Sequence, residues 1–147
     1  MALQLSTGLV NYMLDNGSVK EGLDGGFIKI YSGNPPSSAD DAATGTELVL
    51  FSNGGDDVTP LGFESPATNG ALLKASTETW QGDVQNTDIA TYYRHVSAGD
   101  DGSSSSTQRR IQGTIAQGGA DLNMAKIELV IGETETLDYY SINLPIG

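Results

Sequence analysis

Lys126-Ile127-Glu128-Leu129-Val130-Ile131-Gly132-Glu133-Thr134-Glu135-Thr136-Leu137-Asp138-Tyr139-Tyr140-Ser141-Ile142-Asn143-Leu144 sets the fold class. Ile127, Leu129 and Ile131 share one face of an extended run, and Tyr140, Ile142 and Leu144 share one face of the next. Alternation with a period of two belongs to a half-buried strand. Glu133-Thr134 lies between the two runs and is placed to close a hairpin, and Pro145 stops the last strand.

The same pattern recurs towards the N-terminus. Phe27-Ile28-Lys29-Ile30-Tyr31 is rich in β-formers and ends in Ser32-Gly33-Asn34-Pro35-Pro36, which must break the sheet. Glu47-Leu48-Val49-Leu50-Phe51 is closed by Asn53-Gly54-Gly55. Shorter candidates are 61–64, 71–75 and 78–82, the last with Trp80, the single tryptophan. Asn69-Gly70 is a hairpin turn if its flanks pair. Residues 88–97 form the longest candidate, and 109–115 follow after a loop at 98–107. That loop is built from glycine, aspartate and serine and reads as the most mobile part. Residues 37–45 read as an exposed acidic loop.

Residues 1–25 differ. Leu9, Val10, Met13 and Leu14 recur at helical spacing behind a possible cap at Ser6 or Thr7, and Asn16-Gly17 ends the helix. Ser18 and Glu21 have capping-box spacing for a second turn over 19–23, stopped by Gly25-Gly26. The expected architecture is mainly β: a β-sandwich or jelly roll of about eight strands with a short N-terminal helical segment. The single domain runs over 1–147, with 1–25 as the helical segment and 26–147 as the body. No internal repeat or linker divides it.

Composition limits the chemistry. The chain has 147 residues, enough for a real core, with 37% apolar residues and 19 glycines suiting many short turns. Without cysteine there is no disulfide, thiolate metal site or cysteine nucleophile. Seven basic residues against 19 acidic ones give a net charge of −12, which repels phosphate and argues against nucleic acid. Such acidity suits a solvated surface or a basic protein partner. The start lacks a charged, then apolar, leader pattern, and no run approaches a membrane span. The expectation is a chain made in the host cytoplasm and soluble until it assembles.

No residue set carries a catalytic signature. His95, the single histidine, lies inside a strand, and no Gly-x-Ser-x-Gly elbow accompanies it. A structural or interface role is expected there, and one histidine cannot build a His-based zinc site. Asp40-Asp41, Asp56-Asp57 and Asp100-Asp101 sit in loops. Clustered carboxylates suit calcium, yet no calcium-loop spacing occurs and adjacent residues point apart, so solvated loop charge is expected. Paired carboxylates also serve glycosidases, but Trp80 stands alone and Tyr92, Tyr93, Tyr139 and Tyr140 fit strand packing. Gly22 to Gly26 lacks the context of a phosphate loop. Arg109-Arg110 is an isolated basic pair, open to an acidic surface of a neighbour or, as the favoured reading, offsetting local charge. No catalytic, metal or cofactor residue, and no cofactor, is assigned.

Several blocks carry a whole-chain resemblance. They are Leu3-Gln4-Leu5-Ser6-Thr7-Gly8-Leu9, Gly26-Phe27-Ile28-Lys29-Ile30-Tyr31-Ser32-Gly33-Asn34-Pro35-Pro36 and Glu78-Thr79-Trp80-Gln81-Gly82. Tyr92-Tyr93-Arg94-His95-Val96, Arg110-Ile111-Gln112-Gly113-Thr114, Gly119-Ala120-Asp121-Leu122-Asn123 and Asp138-Tyr139-Tyr140-Ser141-Ile142-Asn143-Leu144-Pro145 complete them. In this order the chain resembles a family of small tailed-phage virion structural proteins encoded near head genes. The resemblance implies a capsid cement or decoration protein with a sandwich or jelly-roll body and no enzyme activity. It implies the major capsid protein as partner, a dimer or trimer on the capsid lattice, and a place on the outside of the head. The chain is more acidic than the family pattern, and its Asp56-Asp57 and Asp100-Asp101 loops differ from it. The docking segments are then the N-terminal amphipathic stretch or residues 143–147. The competing readings are a tail, connector or fibre component, a glycan- or receptor-binding sandwich, and a hydrolase.

Overall fold

Alternating apolar residues need a sheet with one face on a core, and the computed structural model, which describes residues 3–144 and 146, builds one. The elements run β1 (Gln4–Leu5), α1 (Thr7–Asp15), α2 (Val19–Gly22), β2 (Phe27–Tyr31), β3 (Glu47–Asn53), β4 (Ala71–Leu73) and β5 (Trp80–Asp83). They continue with β6 (Asp88–Ile89), β7 (Tyr92–Val96), β8 (Arg110–Ala116), β9 (Leu122–Asn123), β10 (Glu128–Leu129), β11 (Thr134–Leu137) and β12 (Ser141–Asn143).

The main sheet has eight strands in the order β1-β8-β7-β2-β3-β5-β11, with β9 added to β8. Every pairing in it is antiparallel except β8 with β9. Two-stranded pieces, β6 with β10 and β4 with β12, complete the β structure. The protein is mainly β with a short N-terminal helical segment, and the arrangement agrees with a β-sandwich. The sheet turns at β3, whose 47–51 portion pairs with β2 while Ser52 and Asn53 pair with β5. Gly82 sits inside that bend. A Cβ there would collide with the Leu50 carbonyl oxygen, so only glycine lets the two strands approach.

One face of the main sheet is the hydrophobic core. Ile28 and Ile30 of β2, Val49 and Phe51 of β3, Tyr93 of β7 and Ile111 of β8 are buried there with Trp80 and Leu137. The β4–β12 ribbon supplies Leu72 and Ile142, and the helices supply Leu9, Val19 and Leu23. Ser6 caps α1, its Oγ accepting from the Leu9 N–H at 3.2 Å. The helix ends before Asn16, and Ser18 caps α2 by accepting from the Glu21 N–H at 3.1 Å. The expected turn at Asn69-Gly70 forms. Thr68 and Ala71 exchange both backbone hydrogen bonds, and the two turn residues have φ of 51° and 75°, which suits asparagine followed by glycine.

The C-terminal reading needs correction. The run at 126–131 does not pair with 137–144. Only Glu128 and Leu129 are strand, and they pair with Asp88 and Ile89. Leu129 is buried, but Ile131 is exposed, so the three-residue apolar face does not form. The second run is also split: β11 pairs with β5 while β12 pairs with β4, and Leu144 lies exposed. Residues 88–97 break in the same way. The Ala90 N–H donates to the Ile127 carbonyl and the next N–H, from Thr91, donates to Tyr31, so the chain passes from one sheet to another within two residues. Pro145 lies outside the described residues, as do residues 1, 2 and 147. Residues 61–64 contribute a single bridge, Phe63 to Lys74.

Candidate interaction surfaces

Strand alternation decides what each polar residue of β7 and β8 can do. Tyr93, His95 and Ile111 point into the core. Tyr92, Arg94, Arg110 and Gln112 point to the opposite face, which the sequence pattern alone would leave in water. It is instead covered by the loops at 34–45 and 98–107.

Arg110 is fully buried and holds Asp100 with two hydrogen bonds, from Nε at 2.5 Å and Nη2 at 2.8 Å. The same guanidinium donates to the carbonyls of Ala39 (3.0 Å) and Ser103 (2.6 Å). Arg94, also fully buried, donates to the Asp41 carbonyl (2.7 Å) and to Gln112 Oε1 (2.9 Å). Gln112 passes the network on to the Pro36 carbonyl and to Gln4, both at 2.9 Å. Burial, and then the neighbouring Arg110 charge, pushes the Arg94 guanidinium below its ordinary range. Tyr92 stacks on Tyr31 with centroids 5.0 Å apart, and its hydroxyl donates to the Thr44 carbonyl at 2.6 Å.

This corrects three readings. Arg109-Arg110 is not an isolated pair offsetting surface charge: Arg110 is the centre of a buried ionic layer, while Arg109 lies over the Tyr12 ring at 4.6 Å. Asp100 is not solvated loop charge. The 98–107 loop is tied down through Asp100 and Ser103 rather than hanging free.

The other acidic pairs act locally. Asp40 receives the Thr7 N–H (2.8 Å) and the Thr7 hydroxyl (2.6 Å), holding the first turn of α1 against the 34–45 loop. Asp56 accepts from the Thr59 hydroxyl (2.5 Å) and from the backbone N–H groups of Thr59 (2.7 Å) and Val58 (2.9 Å), which lower its carboxyl to about 2. Asp101 is lowered in the same way by the hydroxyl and N–H of Ser103. Asp41 and Asp57 stay exposed. Among the described residues no group of three histidine, cysteine or acidic side chains is placed to hold a metal ion.

His95 sits in an aromatic enclosure. Its ring stacks on Phe63 (centroids 5.3 Å, 26° between planes), lies edge-on to Trp80 (6.4 Å, 90°) and tilts against Tyr140 (5.8 Å). The side chain is fully buried and neither ring nitrogen has a hydrogen-bond partner. Burial therefore pushes the imidazole down to about 3. Of the aromatics, Tyr92, Tyr93 and Tyr140 pack as expected, the last two joined hydroxyl to hydroxyl at 3.2 Å, whereas Tyr139 is 66% exposed.

The outer surface carries apolar residues at several places. On α1 only Leu9 and partly Met13 pack inward, so Val10 and Leu14, one turn apart, face water, Leu14 at 78% exposure. Ile89, Val130 and Ile131 are exposed around the β6–β10 pair. A groove of about 350 Å³ runs between α2 and the β4–β12 ribbon, lined chiefly by Val19, Ala67, Leu72, Ile142 and Leu144. Ile146, 72% exposed, lies against Gly70 at its end. Of the expected docking segments, the amphipathic stretch at 9–14 contributes no residue that lines this groove, and 143–147 contributes Leu144. The fold brings α2 and the end of β12 to one groove. No helix among the described residues is long and apolar enough to cross a membrane.

The chain matches no known protein-family profile, no curated protein and no solved structure.

Proposed function

We propose that this chain is a structural virion protein that decorates the outside of a tailed-phage head and stabilises contacts between major capsid proteins. The observation that carries the reading is the apolar groove between α2 and β12, which Leu144 helps to line. Exposed apolar surface that a chain cannot cover itself marks a protein–protein contact. The seven sequence blocks that resemble small head-associated phage proteins support the same reading.

The physical requirements are few. A stiff body must hold a fixed shape against its neighbours, and loops pinned by Arg94 and Arg110 provide stiffness on one face. Burial of the groove on a capsid subunit supplies affinity at roughly 25 cal/mol per Å² of apolar area removed from water. Repetition over a symmetric lattice multiplies a modest single contact. A net charge of −12 keeps the outward face solvated.

The test is rebinding of the purified chain to heads that lack it, followed by sedimentation. Leu144→Glu places a charge at the groove in a residue already 37% exposed, so folding is preserved. Val58→Glu, at a 76% exposed site away from the groove, is the control. The expected result is binding by the natural chain and the control and loss of binding by Leu144→Glu. Equal binding by all three, or by none, overturns the reading.

A further inference from the structure

A second groove, of about 360 Å³, lies along β12 and is lined by Leu3, Asp121, Leu122, Asn123, Tyr139 and Ser141 among others. Its two walls carry unpaired strand edges. On β12, the Leu144 N–H donates to Gly70 (3.0 Å) and Tyr140 accepts from Lys74 (2.9 Å), with Ile142 opposite Leu72. Antiparallel pairing alternates, so the N–H and C=O groups of Ser141 and Asn143 point away from β4. On β9, the Met124 N–H donates to Ala116 (3.0 Å) in a parallel register of Leu122 with Ile115. The N–H and C=O of Asn123 therefore point away from β8. Among the described residues none of these backbone groups has a partner.

We infer that this groove takes an extended, lysine- or arginine-bearing segment of a partner chain as an added strand. Open strand edges bind extended peptides through main-chain hydrogen bonds, with pockets for alternate side chains giving selectivity. Leu122 and Tyr140 are buried beneath the groove, and half-buried Leu3 and exposed Tyr139 are the apolar side chains a docked strand would meet. Asp121, whose Oδ2 accepts from the Thr114 N–H (2.9 Å) and hydroxyl (3.1 Å), is the one charged residue lining the groove, and no lysine or arginine lines it. Two of the seven basic residues, Arg94 and Arg110, are buried, which leaves the acidic excess on the surface. A cationic strand is favoured by that field. A second copy of this chain, also at −12, is opposed by it. This groove is separate from the one at α2, and the inference stands whether or not the partner belongs to a phage head.

The test uses the full chain and a short synthetic peptide in which lysine alternates with valine. Two controls carry glutamate in place of lysine, or backbone N-methyl groups along one edge. Binding is read by NMR, together with the hydrogen exchange of the Ser141, Asn143 and Asn123 amides. The lysine peptide is expected to bind and slow those three amides. The N-methyl peptide loses more than one main-chain hydrogen bond and is expected to bind at least about tenfold less tightly. The glutamate peptide and the variant Asn143→Pro, which removes an outward N–H on an edge strand, are expected to lose affinity as well. Unchanged exchange at the three amides, equal binding of the N-methyl peptide, or self-association of the chain through this edge in sedimentation equilibrium would each overturn the inference.

Discussion

The two faces of the main sheet are built from adjacent residues of the same strands and solve burial in opposite ways. On one face Tyr93 and His95 join Trp80, Phe63 and Tyr140 in a packed aromatic core. On the other, Tyr92, Arg94, Arg110 and Gln112 are just as fully buried, but every link to the loops above them is a hydrogen bond or an ion pair. The aromatic face is held by shape and tolerates no charge. The polar face is held by hydrogen-bond partners, and among its described side chains Arg94 Nη1 is buried without one. The first specifies the body, and the second fixes two loops that their composition alone would leave free.

The contrast is broken most severely at Asp100. Asp100→Ala leaves the buried Arg110 guanidinium without its carboxylate, and removal of one partner from a buried pair costs about 3–5 kcal/mol. Urea unfolding should show that loss. The joint replacement Asp100→Leu with Arg110→Met should recover much of it, because a well-packed apolar pair avoids the desolvation cost. If the double variant is no better than Asp100→Ala, the polar layer does more than neutralise charge.

His95 sharpens the other side. Free imidazole titrates near 6.5, while the folded chain holds His95 neutral down to about 3. Only the unfolded chain takes up a proton between these values. The contribution is thus fully present above pH 6.5 and is lost as pH falls towards 3, at up to about 1.4 kcal/mol per pH unit. Asp56 and Asp101, with lowered carboxyls, add their own loss only at more acid pH. His95→Phe should flatten the dependence of the urea midpoint between about pH 6.5 and 4.5. An unchanged slope in that variant would contradict the enclosure as its origin.

Smaller effects test the rim of the polar face. Asp40→Ala removes the carboxylate that accepts from Thr7 and should cost about 0.5–2 kcal/mol, the range for a lost helix-end acceptor, read by thermal unfolding. Lys126→Ala breaks an ion pair with Glu133 whose side chains are both over 40% exposed. Its small effect on thermal unfolding should vanish in high salt.

Much of the aromatic face was legible in the sequence and almost none of the polar one. Phe27–Tyr31 appears as read, because a run of β-formers stopped by Ser32-Gly33-Asn34-Pro35-Pro36 is a local signal. The caps at Ser6 and Ser18 and the Asn69-Gly70 turn are local for the same reason. The partnership of β11 with β5 was not legible, since period-two alternation reports a face and not a neighbour. The break at Ala90 has no glycine or proline to announce it, and its cause is a hydrogen bond to Ile127, distant in sequence. The burial of Arg94 and Arg110 was not legible, because loops, which carry no periodicity, are what bury them. The signal that could have found them was two arginines and a glutamine sharing one face of two neighbouring strands. Neither groove was legible, since each joins segments far apart in the chain.

The central functional claim is most directly tested by quantitative mass spectrometry of purified virions, as the molar ratio of this chain to the major capsid protein. The account predicts a ratio near one or a simple fraction of it set by the capsid lattice, whereas a handful of copies per particle, or none, would contradict it.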